Sequence, residues 1–109
     1  MVDKRRKLKP HHSLASIQGK FKTVQDLEIT RTAEETAMSL GYGLQDVVDA
    51  VQDLLPEDFE VSSPAHSPPV QGVWHDTYSM KWDGMHLYIK FAGATIIDIT
   101  LVSFKEKGQ

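Results

Sequence analysis

Residues 85–91 alternate without a break. Met85, Leu87, Ile89 and Phe91 fall on one parity, and His86, Tyr88 and Lys90 fall on the other. Successive side chains of a strand point to opposite faces, so this segment is a strand with one apolar and one polar side. Val73 to Lys81 reads as a strand before it, and Trp82-Asp83-Gly84 as the tight turn between the two. After the Ala92-Gly93-Ala94 turn, Ile96 to Lys105 reads as a third strand. Its apolar residues occupy both parities, which predicts a central strand buried on both faces.

The first half follows a different period. Leu14, Ile17, Phe21 and Val24 recur three or four residues apart, as on one face of a helix, with Ser13 as N-cap. Gly19 weakens this helix somewhat. Leu27 to Thr30 reads as a short extended link. Thr32-Ala33-Glu34-Glu35 is a capping-box sequence opening a second helix whose apolar side is Met38 and Leu40. Gly41-Tyr42-Gly43 stops it. A third helix runs from about Leu44, with Val47, Val48, Val51, Leu54 and Leu55 as its stripe and Asp46, Asp49 and Asp53 off it. Pro56 opens one further turn. Ser62 to Pro69, rich in Ser and Pro, reads as a loop. Helices followed by a strand meander predict an α+β fold, with N-terminal helices packed on one face of a small antiparallel sheet. The 109 residues suit a single domain spanning the whole chain, residues 1–109, with residues 1–9 a flexible basic arm.

No apolar run approaches the roughly 20 residues of a membrane-crossing helix, so no membrane association is expected. The basic start is not followed by an apolar stretch, which argues against a secretory signal. The absence of cysteine removes thiolate chemistry and fits a cytoplasmic setting. The net charge of -3 conceals segregation. Residues 1–22 carry seven Lys/Arg and one Asp, and residues 23–60 one Arg and ten Asp/Glu. Residues 61–109 carry four of each sign. Contact with nucleic acid must therefore come from a local basic patch. The arm has two functional readings, attraction of RNA phosphates or pairing with an acidic partner surface, beside that of a solvated tail. His11, His12 and His66 have no acidic ligands at fixed spacing, so no metal site is expected.

Trp74-His75-Asp76-Thr77-Tyr78, Leu87-Tyr88-Ile89-Lys90 and the ending Leu101-Val102-Ser103-Phe104-Lys105-Glu106-Lys107 resemble the motility quorum-sensing regulator (MqsR) toxins of bacterial type II toxin–antitoxin systems. Ile29 to Phe59 resembles the family's earlier region more loosely. The resemblance implies a RelE-like ribonuclease fold. It also implies cleavage of mRNA at short GC-containing sites without the ribosome, growth arrest, and bacterial cytoplasmic localisation. The implied partner is an antitoxin with a zinc-binding N-terminal part and a helix-turn-helix DNA-binding part, so DNA is reached only through it. No cofactor is implied.

By the resemblance, the family's strand tyrosine is Tyr88 and its C-terminal lysine is Lys105. A glutamine after its tryptophan is His75 here, and a lysine after its acidic-Phe turn is Val61. Histidine titrates near neutral pH and suits proton transfer, which makes His75 the expected general acid or base. Lys105 is the expected charge stabiliser and Tyr88 a hydrogen-bond donor to the phosphate. Lys90, His86 and Lys107 are the expected RNA contacts. Val61 in place of the lysine supports an alternative, a catalytically weakened binding module acting through its antitoxin.

Overall fold

The computed structural model describes residues 8–64 and 73–108. The arm residues Lys4 to Lys7 and most of the expected Ser62–Pro69 loop lie outside the described residues. Three helices pack against one face of a four-stranded antiparallel sheet, as the order of periodicities predicts. The helices are α1 (Leu14–Lys20), α2 (Arg31–Ser39) and α3 (Leu44–Asp53). The strands are β1 (Phe59–Pro64), β2 (Trp74–Trp82), β3 (Met85–Gly93) and β4 (Thr100–Glu106), in the spatial order β1-β2-β3-β4.

Helix α1 starts where Ser13 Oγ accepts the Ser16 N–H at 3.3 Å. It buries Leu14 and Ile17, with Phe21 at its end. Gln18 and Gln52 exchange side-chain bonds. The Gln18 amide donates to the Val51 and Leu54 carbonyls, and that of Gln52 to those of Gln18 and Phe21. Each side chain thereby occupies carbonyls that a helix end leaves without partners.

Helix α2 begins earlier than its capping-box sequence suggests. Thr30, not Thr32, is the cap, its Oγ1 accepting the Ala33 N–H at 3.2 Å. Thr30 is the last extended residue because its own N–H is held by the Leu101 carbonyl at 3.0 Å. The inward face is therefore Ala33 and Ala37, and Met38 stands 62% exposed instead of forming the apolar side. Gly41, at φ +94°, ends this helix in the left-handed region that glycine enters freely. In α3, Val47, Val48, Ala50 and Val51 are buried with the following Leu54, whereas Leu55 lies past the helix and is half exposed.

Two strands depart from expectation. Residues 59–64 form edge strand β1 instead of a loop beginning at Ser62. Ser62 is buried and donates its hydroxyl to Asp76 at 2.5 Å, and Pro64 sits at the end of an edge, where a missing N–H costs little. Strand β4 begins at Thr100, not Ile96, and it is the last strand, not a central one. A bulge explains its double parity. Leu101 pairs with Phe91 but Ser103 with Lys90, so Val102 is an extra residue and Leu101 and Phe104 both turn inward. The Leu27–Thr30 link shields this edge through a parallel bridge of Ile29 with Leu101. The β2–β3 turn is as expected, with Asp83 and Gly84 both at positive φ (55° and 74°).

The apolar parity of β3 meets the helices as predicted, and Leu87, Ile89 and Phe91 are fully buried. Asp76 is buried on the same side. Its carboxylate accepts the His11 and His12 backbone N–H groups at 3.0 and 2.8 Å along with the Ser62 hydroxyl. That carboxylate fastens the entry to α1 and strand β1 to strand β2. Tyr78 is also fully buried, and among the described residues its hydroxyl has no hydrogen-bond partner. Burial foremost, and then the Asp76 charge, push that phenol well above its ordinary pKa. A buried hydroxyl without a partner costs about 1–3 kcal/mol. Tyr78→Phe is expected to keep or raise the denaturation midpoint. A loss above about 1 kcal/mol would show that the hydroxyl is bonded.

Candidate active site

Strand register decides which polar side chains share the face turned away from the helices. Tyr88 pairs with Ser79 on β2 and with Lys105 on β4. The next row is Val61, Thr77, Lys90 and Ser103. Beyond it lie Ser63, His75, Ala92 and Thr100. On the other side of Tyr88, His86 pairs with Lys81 and accepts the Lys107 N–H through its carbonyl at 2.7 Å. All four lysines that follow residue 60 (Lys81, Lys90, Lys105 and Lys107) thus belong to this face. Its local charge is positive although the chain is acidic overall.

Tyr88 is the centre of the arrangement. The Lys90 and Lys105 ammonium groups each lie 5.6 Å from its ring centroid, Lys90 from two residues along the strand and Lys105 from across the ladder. Both contacts are within cation–π range, and they hold two positive charges beside one phenol. A phosphate group there would meet a hydroxyl donor and two cations.

The expected site residues do not all converge on that point. Tyr88, Lys90 and Lys105 come together, with His86 next along β3. His75 shares the face but lies two rows away. Four residues of strand separate its row from that of Tyr88, about 13 Å at the usual rise. Lys107 reaches across the sheet, and its Nζ is 2.6 Å from Glu60 Oε2 and 3.4 Å from Ser79 Oγ. Val61, opposite Thr77, leaves its position without a cation, and the ammonium of that row is supplied by Lys90 on β3. Elsewhere, His11 stacks on Trp74 at 5.5 Å, and the His12 ring nitrogen bonds the Gly93 carbonyl at 2.8 Å. His66 lies outside the described residues.

Glu60 is the functional candidate that sequence reasoning missed. The register between β1 and β2 slips between Phe59 and Val61, so Glu60 is a bulge residue. A bulge re-aims a side chain, and here the Glu60 carboxylate reaches Ser79 and Lys107 on the polar face. The hydrogen bond from Lys107, then that from Ser79, hold its carboxyl below the ordinary carboxylate value, with the Lys107 and His86 charges adding to the effect and burial opposing it. No alternation in Ser62-Ser63-Pro64 signals a strand here, so no bulge was legible.

These elements define a small α+β protein with helices on one sheet face and a basic, phenol-centred cluster on the other. The chain belongs to the MqsR toxin family: the family model described as motility quorum-sensing regulator, toxin of MqsA, matches residues 9–106. It is thus a toxin of a toxin–antitoxin pair, and the family name gives the antitoxin MqsA as partner. No curated protein matches the chain. Among the described residues, no helix is long and apolar enough to cross a membrane.

A carboxyl whose pKa is lowered on folding contributes stability above its unfolded value and loses it as pH falls through its folded value. Wild-type protein is expected to lose more melting temperature than Glu60→Gln on acidification below the ordinary carboxylate range. Parallel melting curves for the two would contradict the ion pair.

Proposed function

We propose that this toxin is an endoribonuclease that cuts mRNA at short GC-containing sites without the ribosome and so arrests growth in the bacterial cytoplasm. The carrying observation is the Tyr88 ring held beside the Lys90 and Lys105 ammonium groups on a solvent-facing sheet. RNA contains its own nucleophile, the 2′-hydroxyl, so cleavage needs proton transfer and charge stabilisation and does not require a metal. O2′ attacks the adjacent phosphorus, O5′ departs, and a cyclic phosphate remains on the upstream fragment. Lys105 stabilises the negative charge that grows on the phosphorane, with Lys90 beside it. Tyr88 donates a hydrogen bond to a phosphate oxygen.

The strand register favours a division of labour between the two histidines. His86 lies two residues from Tyr88 on the same strand and is the imidazole placed to move a proton at this phosphate. His75, two rows off, suits the neighbouring nucleotide, where its ring can stack or bond. The antitoxin is proposed to carry a zinc-binding N-terminal part and a helix-turn-helix part, with DNA contacted through the latter. One observation favours a second reading, a binding module of reduced activity: Val61 lacks a charge, and the Lys107 ammonium is already engaged by Glu60.

Cleavage of a short single-stranded RNA by purified protein separates these readings. Tyr88→Phe and Lys105→Ala are expected to slow turnover, and His86→Ala to slow it about 10²–10⁴-fold. His75→Ala is expected to act mainly on KM. A folded wild-type protein that binds its antitoxin but cuts no RNA would establish the binding module instead. If His75→Ala lowers kcat while His86→Ala does not, the proton belongs to His75.

A further inference from the structure

We propose that Glu60 is the general base of this cleavage and that Lys107 switches its basicity when RNA binds. The inference rests on the endoribonuclease reading above. Its first support is placement. The β1 bulge delivers Glu60 to the row that continues through Ser79 and Tyr88 to Lys105. Among the described strand residues it is the one carboxylate on this face, because Asp76 is buried beneath the sheet and Glu106 pairs with Leu87 on the helix-facing parity. Its second support is anchorage. Oε2 accepts from both Lys107 and Ser79, which anchors the carboxylate on this face.

Ser79 and Lys107 bond Glu60 and the His86 charge acts on it, and the other groups that share its sheet face complete the chemistry. From β2 come Ser79 and Lys81, from β3 His86 and Tyr88, and from β4 and its end Lys105 and Lys107. A phosphate seated over Tyr88 would have Glu60 two strands away across the ladder and His86 two residues away along β3. As O2′ bonds to phosphorus, its proton passes to Glu60. The bond from phosphorus to O5′ breaks, and protonated His86 gives its proton to O5′. The products are a 2′,3′-cyclic phosphate and a free 5′-hydroxyl, and both side chains re-equilibrate with solvent.

Lys107 couples this step to binding. In the free protein its ammonium sits on Glu60 and weakens the carboxylate as a base. An RNA phosphate offers Lys107 a second anion. When the ammonium turns to the phosphate, Glu60 loses its strongest acidifying contact while the 2′-hydroxyl is in place. The cation then serves the phosphorane, and the carboxylate becomes more basic.

Two measurements test this with a fluorogenic single-stranded RNA and its uncleavable analogue carrying 2′-deoxy at the scissile position. Glu60→Gln is expected to lower kcat about 10²–10⁴-fold while it stays folded at neutral pH, with a melting temperature no higher than the wild type's, and binds the analogue at least as tightly. In the wild type, the acid limb of kcat/KM, which reports the free protein, is expected at lower pH than the limb of kcat, which reports the complex. Lys107→Met is expected to move the kcat/KM limb upward. Glu60→Gln cleaving at the wild-type rate would overturn the proposal, as would tighter RNA binding at unchanged kcat, which makes Glu60 only a mask on Lys107. If Glu60→Gln does not fold, coincident acid limbs in the wild type overturn it and separated limbs support it. Should Tyr88→Phe slow cleavage while Glu60→Gln does not, Glu60 alone loses its role. If folded wild-type protein cuts no RNA, the endoribonuclease reading falls and this one with it.

Discussion

The pairing of β3 between β2 and β4 is the constraint on which the rest of the structure depends. Ile89 is opposite Tyr78 on one side and Phe104 on the other, and all three are fully buried. A slip of β3 by one residue would send Leu87, Ile89 and Phe91 to solvent and bring Tyr88 and Lys90 beneath the helices. Each large apolar side chain left exposed would forfeit about 1.5–3 kcal/mol. The same energy that holds the core in register therefore holds the phenol and its lysines together on the other face. The polar cluster needs no scaffold of its own, because it is the obverse of the core.

Bulges supply what strict alternation cannot. In β4, the extra Val102 brings Leu101 and Phe104 to the same side, which lets an edge strand bury two large residues and still present Ser103 and Lys105 outward. In β1, the slip at Glu60 brings a carboxylate to the cation-rich face. Asp76 does the corresponding work beneath the sheet, where two backbone N–H groups and one hydroxyl satisfy a buried charge. The two carboxylates show how environment sets role. Asp76 is enclosed and structural, and Glu60 is partly exposed on the open face.

Much of this was legible in the residue order, and the exceptions have physical causes. The β3 alternation foretold the buried and open faces and the shared parity of His86, Tyr88 and Lys90. Asp83-Gly84 foretold the hairpin, and Gly41 the end of α2. The missed elements are those that tertiary contacts decide. Thr30 takes the cap from Thr32 because Leu101 holds its backbone extended. Met38 is left outside because α2, capped at Thr30, turns Ala33 and Ala37 inward. Strand β1 escaped notice because its Ser and Pro residues resemble a loop until Asp76 is opposite Ser62. For the site, residue types were legible but spacing was not. His75 and Tyr88 share a face, yet only the β2–β3 register reveals that they lie two rows apart. Glu60 stayed hidden because a bulge has no signature in a stretch lacking alternation.

The central claim is that Tyr88 and Lys105 act on one phosphate. A double-mutant cycle on RNA cleavage, comparing Tyr88→Phe, Lys105→Ala and the combined variant, tests it most directly. Groups that serve the same transition state are strongly non-additive, so the double variant is predicted to be slowed far less than the product of the two single effects. Multiplicative single effects would contradict the account and place the two residues in separate roles.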